Sequence, residues 1–473
     1  MESQHYGAVV VGAGPGGYVC AIRLAQLGIK TLCVEKENWG GVCLNVGCIP
    51  SKALITAAKK YSAVEKLQEM GLVFDSPPSL DVAQLQKWKG GIVQKLTSGI
   101  KGLLQANGSD HMIGTARFVG GATGRDLEID TPDGNTLKVT CDNLVIAVGS
   151  RPIEIPGFSY KDDRILDSTK ALALDHIPNR LTVIGGGYIG LEMGMMLSKL
   201  GSDVTVLEAA PQLLANFDPD VVKIISRKMK KQGMTVHTNA LAQGWSEGEG
   251  EAIVKIKTPK GEQDIAADKI LVTVGRRPNS EILSATGIEL TERGFVKVDD
   301  QQKTNVEGIY AIGDITGRSM LAHGASYEAE VAAEVIAGHT YRRYRAKTVP
   351  AVVFTDPEIG VAGLMEHEAK KEGYDVVVGQ MPFSAIGRAM TTGETDGFIK
   401  VVADASDNRI LGITIVGPNA SDLISEGALA VEMDAELLDI GLTIHPHPTL
   451  GEGVMEAAKH ALGEAIHTLN KKK

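Results

Sequence analysis

Cys43 and Cys48 are separated by four residues in the stretch GGVCLNVGCIPSK, which runs from Gly40 to Lys52. Five cysteines in 473 residues are too few, and odd in number, for a disulfide framework, so this pair fits thiol–disulfide or metal chemistry better. Zinc would want a second Cys or His pair at ligand spacing, and the chain has none; no metal site is expected. The glycines and Asn45 predict a flexible loop, and the run from Cys48 to Lys60 predicts a helix with Pro50 near its first turn. Both thiols then lie at or near a helix N-terminus, where the dipole favours thiolate and a dithiol can attack and release a mixed disulfide. Cys20, Cys33 and Cys141 read as buried small hydrophobes.

Two other patterns carry chemistry. The segment from Tyr6 to Gly12 is a β-branched run closing on Gly12, Gly14 and Gly17 in GxGxxG spacing, followed by a helix pattern to Gly28 and a second strand ending at Glu35. This is a βαβ unit whose glycines admit a pyrophosphate to the helix N-terminus and whose acid is placed to hold a ribose diol. From Leu181 the pattern recurs with Gly185, Gly187 and Gly190, the helix start at Tyr188 and Ile189, and Glu208. Each acid follows its last glycine by 18 residues. A lone fingerprint is weak evidence, but two complete ones with their acids predict two dinucleotide sites. A carboxylate accepts from the 2′-OH of NAD and repels the 2′-phosphate of NADP, so the second site is expected to take NAD.

The elements around these residues repeat as well. DNLVIAVGSRP and DKILVTVGRRP each close a strand on Gly-x-Arg-Pro, at Gly149 and Gly275. Gly149 lies 137 positions after Gly12, but Gly275 only 90 after Gly185, so the first copy carries about 47 extra residues, within the span that holds the cysteine pair. From about Val349 the pattern changes to strands followed by a helix, with no glycine fingerprint, which predicts a separate α+β domain. The expected fold is α/β, with two Rossmann-like dinucleotide-binding domains plus a C-terminal α+β domain. Boundaries are placed at 1–150, 151–278, 279–348 (completing the first domain) and 349–473.

A net charge of −10 argues against phosphate-backbone binding, so nucleic acid is not an expected partner. No apolar run of about 18 residues stands out, and Met1 to Tyr6 lacks signal-peptide character, so the chain reads as soluble and unexported, with no membrane partner.

GGVCLNVGCIPSK resembles the active-site motif of the pyridine nucleotide-disulfide oxidoreductases, and the fingerprints, the Gly-x-Arg-Pro strands and the stretch from Thr304 to Asp314 follow that family's order. The resemblance spans essentially the whole chain. It implies FAD in the first site, with Gly114 among its neighbours, and NAD in the second. It implies that Cys48 stacks against the flavin while Cys43 exchanges with substrate, and that Lys52 pairs with Glu192 near the flavin. Asp314 would hold the ribityl chain, and Met320, Leu321, Ala322 and His323 would lie beside the ring. His445 precedes Pro446 and His447 sits between Pro446 and Pro448, and a loop histidine is more often structural; the resemblance nonetheless implies that His447 is the acid/base and Glu452 orients it, acting on the partner's disulfide in a homodimer. Relatives often carry serine at Gly451, which leaves this pair untouched.

Within the family, mercuric reductase would carry a C-terminal cysteine pair, whereas no cysteine follows Cys141. Glutathione reductase would want arginines past Glu208, where Ala209, Ala210 and Pro211 stand. The remaining implication is oxidation of protein-bound dihydrolipoyl groups with NAD+. Expected partners are lipoyl domains and the acyltransferase core of 2-oxo acid dehydrogenase complexes, with the glycine-cleavage lipoyl protein as a further candidate. The cytoplasm is the expected compartment, or the mitochondrial matrix for a processed eukaryotic chain. The alternatives are another NAD-linked flavin disulfide reductase or a non-catalytic flavoprotein scaffold.

Overall fold

The structure, a computed structural model, describes residues 4–76, 78–120, 125–284 and 286–470; the first three residues of the start read above and the three closing lysines lie outside this range. Strand β1 (Gln4–Val11), helix α1 (Pro15–Gln26) and strand β2 (Thr31–Glu35) form the first βαβ unit. The β-branched run of β1 suits a parallel strand covered on both faces, and Ala8, Val9 and Val10 are fully buried. Among the described residues, β1 pairs in parallel with β2 and with Thr136–Ile146, inside a seven-stranded sheet. Thr115–Gly120 and Asp126–Asp130 extend that sheet in antiparallel, and Ile309–Ala311 joins it from far along the chain.

The second unit repeats the plan. Arg180–Ile184 lies between Asp203–Leu207 and Lys269–Val272 in a five-stranded parallel sheet, with the helix Tyr188–Lys199 crossing over. The two Gly-x-Arg-Pro segments then pair with each other, Ser150–Pro152 antiparallel to Arg276–Pro278. Residues from Ala351 build a five-stranded antiparallel sheet, covered by the helices Ala420–Glu432 and Glu452–Leu462.

Much of the extra length in the first unit is helical. The flexible loop expected around Asn45 is instead helix α2 (Gly41–Val46). Asn45 Nδ2 donates to the carbonyls of Trp39 and Gly41 at 2.9 Å, and Leu44 is buried, so tertiary contacts override the loop propensity. Gly47 (φ −139°, ψ −114°) breaks the chain before helix α3 (Cys48–Ser62). By length and mean hydropathy Gly41–Ser62 could cross a membrane, but it is no unbroken apolar run, since Lys52, Lys59 and Lys60 lie within it. It is split at Gly47, and α3 packs on the helix Tyr188–Lys199.

Candidate active site

Both glycine loops have the shape a dinucleotide needs. Gly12 (φ +100°) and Gly185 (φ +108°) adopt a conformation open to glycine, and a Cβ there would lie 2.3 Å from the Ala147 carbonyl oxygen and 2.7 Å from that of Thr273. Added Cβ atoms at Gly17 and Gly190 would strike the Gly12 and Gly185 carbonyl oxygens at 1.8 and 2.2 Å, so each helix can pack this closely only with glycine. Gly14 and Gly187 face open space at the N-termini of α1 and Tyr188–Lys199, where phosphates would meet free N–H groups. These cradles fit FAD and NAD. Glu35 accepts from the amides of Ala13 (2.7 Å) and Glu37 (3.0 Å), and Glu208 from those of Gly186 and Ala210 (both 2.7 Å). Gly114 lies at the far edge of the first cradle, its amide donating to the Glu35 carbonyl at 2.8 Å.

The cysteine helices dock on the first loop. The Gly40 amide donates to the Ala13 carbonyl at 2.9 Å, and Gly41 packs so tightly on Gly14 that a Cβ would lie 2.8 Å from its Cα. Cys48 is the first residue of α3 and Cys43 lies in the first turn of α2. The hydrogen bond from the Cys43 thiol is the largest effect on Cys48; with help from Lys52 and against burial, it brings that thiol down to about 7. Giving that bond, together with burial, pushes the Cys43 thiol up. The pair is thus polarised, with thiolate on Cys48. Cys20, Cys33 and Cys141 are buried, and desolvation pushes their thiols up.

Lys52 lies one turn beyond Cys48 and reaches Glu192 of the helix Tyr188–Lys199, Nζ to Oε2 2.8 Å. Glu192 is buried, and its Oε1 accepts from the Phe354 amide at 2.9 Å. On the same helix Tyr188 is exposed as a residue, yet desolvation at its hydroxyl raises that group, and Cys48 is among the groups acting on it; Ile189 packs against the core.

Asp314 sits in the turn Gly313–Thr316 and accepts from the Ser150 hydroxyl. Ser150 also receives Arg276 Nε at 2.8 Å. Neither partner is marked by the glycine spacing at Gly149 and Gly275; the sequence signal for them is that Ser150 and Arg276 occupy equivalent positions in the two repeats. Behind this turn the Gly313 amide donates to the buried Glu328 carboxylate at 2.6 Å, another contact that the spacing does not mark. Met320 (φ +50°) and Leu321 lead into the helix Ala322–Ile336, and His323 Nε2 lies 2.7 Å from the Pro350 carbonyl oxygen.

His447 lies in the loop before the helix Glu452–Leu462. Its Nδ1 is 2.8 Å from Glu452 Oε1, and Glu452 Oε2 accepts from the Thr449 amide at 2.9 Å. Burial opposes ionisation of Glu452, but the Thr449 amide and His447 outweigh it and hold the carboxyl below its ordinary value. The His447 side chain is 77% exposed, and among the described residues its one side-chain hydrogen bond is to Glu452. His445 differs: its side chain is 7% exposed and bridges Glu426 and the Thr443 carbonyl, an anchor for the loop.

The family model for pyridine nucleotide-disulphide oxidoreductases matches residues 6–329, and that for the family's dimerisation domain matches 349–458. Dihydrolipoyl dehydrogenase of Geobacillus stearothermophilus is 50% identical over 98% of this chain and 97% of its own length. That of Haloferax volcanii is 48% identical over 98% of each chain. The solved HOCl-induced flavoprotein disulfide reductase of Escherichia coli is 27% identical, with a TM-score of 0.85 over 96% of this chain and 99% of that one. The chain therefore belongs to the pyridine nucleotide-disulphide oxidoreductase family, within its dihydrolipoyl dehydrogenase branch.

Proposed function

We propose that this chain oxidises protein-bound dihydrolipoyl groups to lipoyl disulfide and delivers the electrons to NAD+, with Cys43 and Cys48 as the exchanging pair. The observation that carries the reading is the thiol pair formed by Cys43 in α2 and Cys48 at the start of α3, with Lys52 one turn on and paired with Glu192. In the oxidised pair, a substrate thiolate attacks Cys43, forms a mixed disulfide and releases Cys48 as the thiolate that Lys52 favours. The second substrate sulfur then attacks the first, closes the lipoyl disulfide and releases Cys43. His447, oriented by Glu452, takes the substrate's thiol proton.

FAD, held by the loop Gly12–Gly17, Glu35, Asp314 and the Met320–His323 segment, supplies when bound the two-electron acceptor between the dithiol and NAD+. The loop Gly185–Gly190 and Glu208 hold NAD. In the finer reading the domains divide at 150, 278 and 348, the chain works as a homodimer, and His447 serves the partner's cysteines. Support comes from the exposed His447 and from the exposed apolar side chains of Met433, Leu442, Ile444 and Ile466 on the same domain. Lipoyl domains and the acyltransferase core of 2-oxo acid dehydrogenase complexes are its partners, in the cytoplasm.

Steady-state assays with dihydrolipoamide and oxidised glutathione, each with NAD+/NADH and NADP+/NADPH, test this. Turnover confined to dihydrolipoamide with NAD+ is expected; preference for glutathione or NADP+ would overturn the reading.

A further inference from the structure

One segment reaches the redox centre from the C-terminal domain. The turn 354–356 follows the strand Ala351–Val353 and is gripped twice by the helix Tyr188–Lys199. Glu192 Oε1 takes the Phe354 amide at 2.9 Å, and Lys199 Nζ lies 2.6 Å from Asp356 Oδ2. Glu192 and Lys199 are seven residues apart, close to two turns, so both grips lie on one helix face. The Lys199 side chain is 9% exposed, and Lys228 adds a longer contact to Asp356 at 3.7 Å. Between them Thr355 is buried and donates to the Pro357 carbonyl at 2.8 Å. The turn is fixed at its backbone, and Lys52 Nζ lies 4.5 Å from the centroid of the Phe354 ring.

That distance is within cation–π range. A lysine ammonium on a four-carbon stem has many rotamers to lose before it acts as a fixed charge. Glu192 fixes it, but its carboxylate opposes at Cys48 the effect Lys52 exerts there. An aromatic face fixes the ammonium without adding a counter-charge. We propose that Phe354 is a positioning residue of the redox centre: its ring, anchored through Glu192 and Lys199, holds the Lys52 ammonium where it stabilises the Cys48 thiolate. The C-terminal domain then contributes to thiol chemistry in its own subunit, separately from His447. This rests on the reading of Cys43 and Cys48 as the redox pair.

The charged and titratable groups acting on Cys48 are Cys43 from α2, Lys52 on α3 and Glu192 from the facing helix, where Cys48 in turn acts on Tyr188. Phe354 carries no charge, so its replacement should reach Cys48 through Lys52. The test reads the thiolate rather than turnover. In FAD-loaded Cys43→Ser protein, a Cys48 thiolate beside the flavin gives a long-wavelength band whose pH midpoint is measured. Phe354→Leu keeps the amide and removes the ring; the midpoint should rise by about half to one pH unit, roughly a three- to tenfold loss of thiolate below the midpoint. Phe354→Tyr should restore the parent midpoint, and on a Lys52→Met background Phe354→Leu should add no shift. An unmoved midpoint, or a shift that persists without Lys52, overturns the proposal while the redox pair stands. Absence of the band in the Cys43→Ser parent overturns the assignment of Cys48 and the proposal with it. If Phe354→Leu does not fold, Phe354→Met, of similar volume, makes the same comparison.

Discussion

Glu35 and Glu208 occupy the same place in two separately folded sheets: each carboxylate accepts from the amide after the first glycine of its loop and from the amide two residues beyond itself. Each acid therefore braces its glycine loop, besides the ribose contact proposed for it. For Glu208→Ala the account expects NAD binding to weaken by about 1.5–3 kcal/mol, the worth of a charged hydrogen bond. This would appear as a roughly 10- to 150-fold rise in KM for NAD, with the flavin spectrum intact. Unchanged NAD kinetics in that variant would remove the assignment.

The polarity of the thiol pair predicts different fates for its two members. Cys48→Ser should bind FAD but show no long-wavelength band on reduction, whereas Cys43→Ser should show the band without substrate. In the wild-type reduced enzyme the band should fade as pH falls through about 7, where Cys48 takes up a proton. Both variants should lose lipoamide turnover. Near-normal activity in Cys43→Ser would reverse the assigned polarity.

Burial pushes the Glu328 carboxyl from its ordinary 4.5 up to about 7, against the Gly313 amide that favours the ionised form. Between these values the folded chain keeps a proton that the unfolded chain has lost, so stability falls as pH rises through that window and levels off above it. Glu328→Gln can still accept from Gly313 and removes this dependence. Its advantage over wild type in urea unfolding should be small at pH 5 and reach on the order of 1–3 kcal/mol at pH 8. Equal effects at both pH values would show that the carboxyl does not titrate there.

The residues whose roles follow from backbone requirements were legible in the sequence. Gly12, Gly17, Gly185 and Gly190 answer to contacts that any Cβ would break, and such constraints leave a fixed spacing. The length excess of the first unit likewise marked where α2 and α3 would be inserted. Asn45 was misleading because its local turn preference gave way to the Trp39 and Gly41 carbonyls it caps in α2. Ser150 with Arg276, Glu328 with Gly313, and Phe354 with Lys52 were out of reach. Each depends on how distant segments of chain pack together, and no periodicity within one segment records that.

If His447 serves the partner's cysteines, as proposed, two chains make one active site. A dihydrolipoyl thiol is largely protonated near neutral pH, and base assistance is typically worth about 10²–10⁴ in rate. His447→Ala should therefore lose roughly that factor in lipoamide turnover, while the flavin spectrum and NADH-driven dye reduction survive. The decisive measurement is the activity of mixed dimers, separated by tags, that pair a His447→Ala chain with a Cys48→Ser chain. They should regain one working site, built from the cysteine pair of the first chain and the histidine of the second, while dimers of either variant alone stay inactive. Mixed dimers as inactive as both parents would contradict it, and would place His447 in the service of its own subunit.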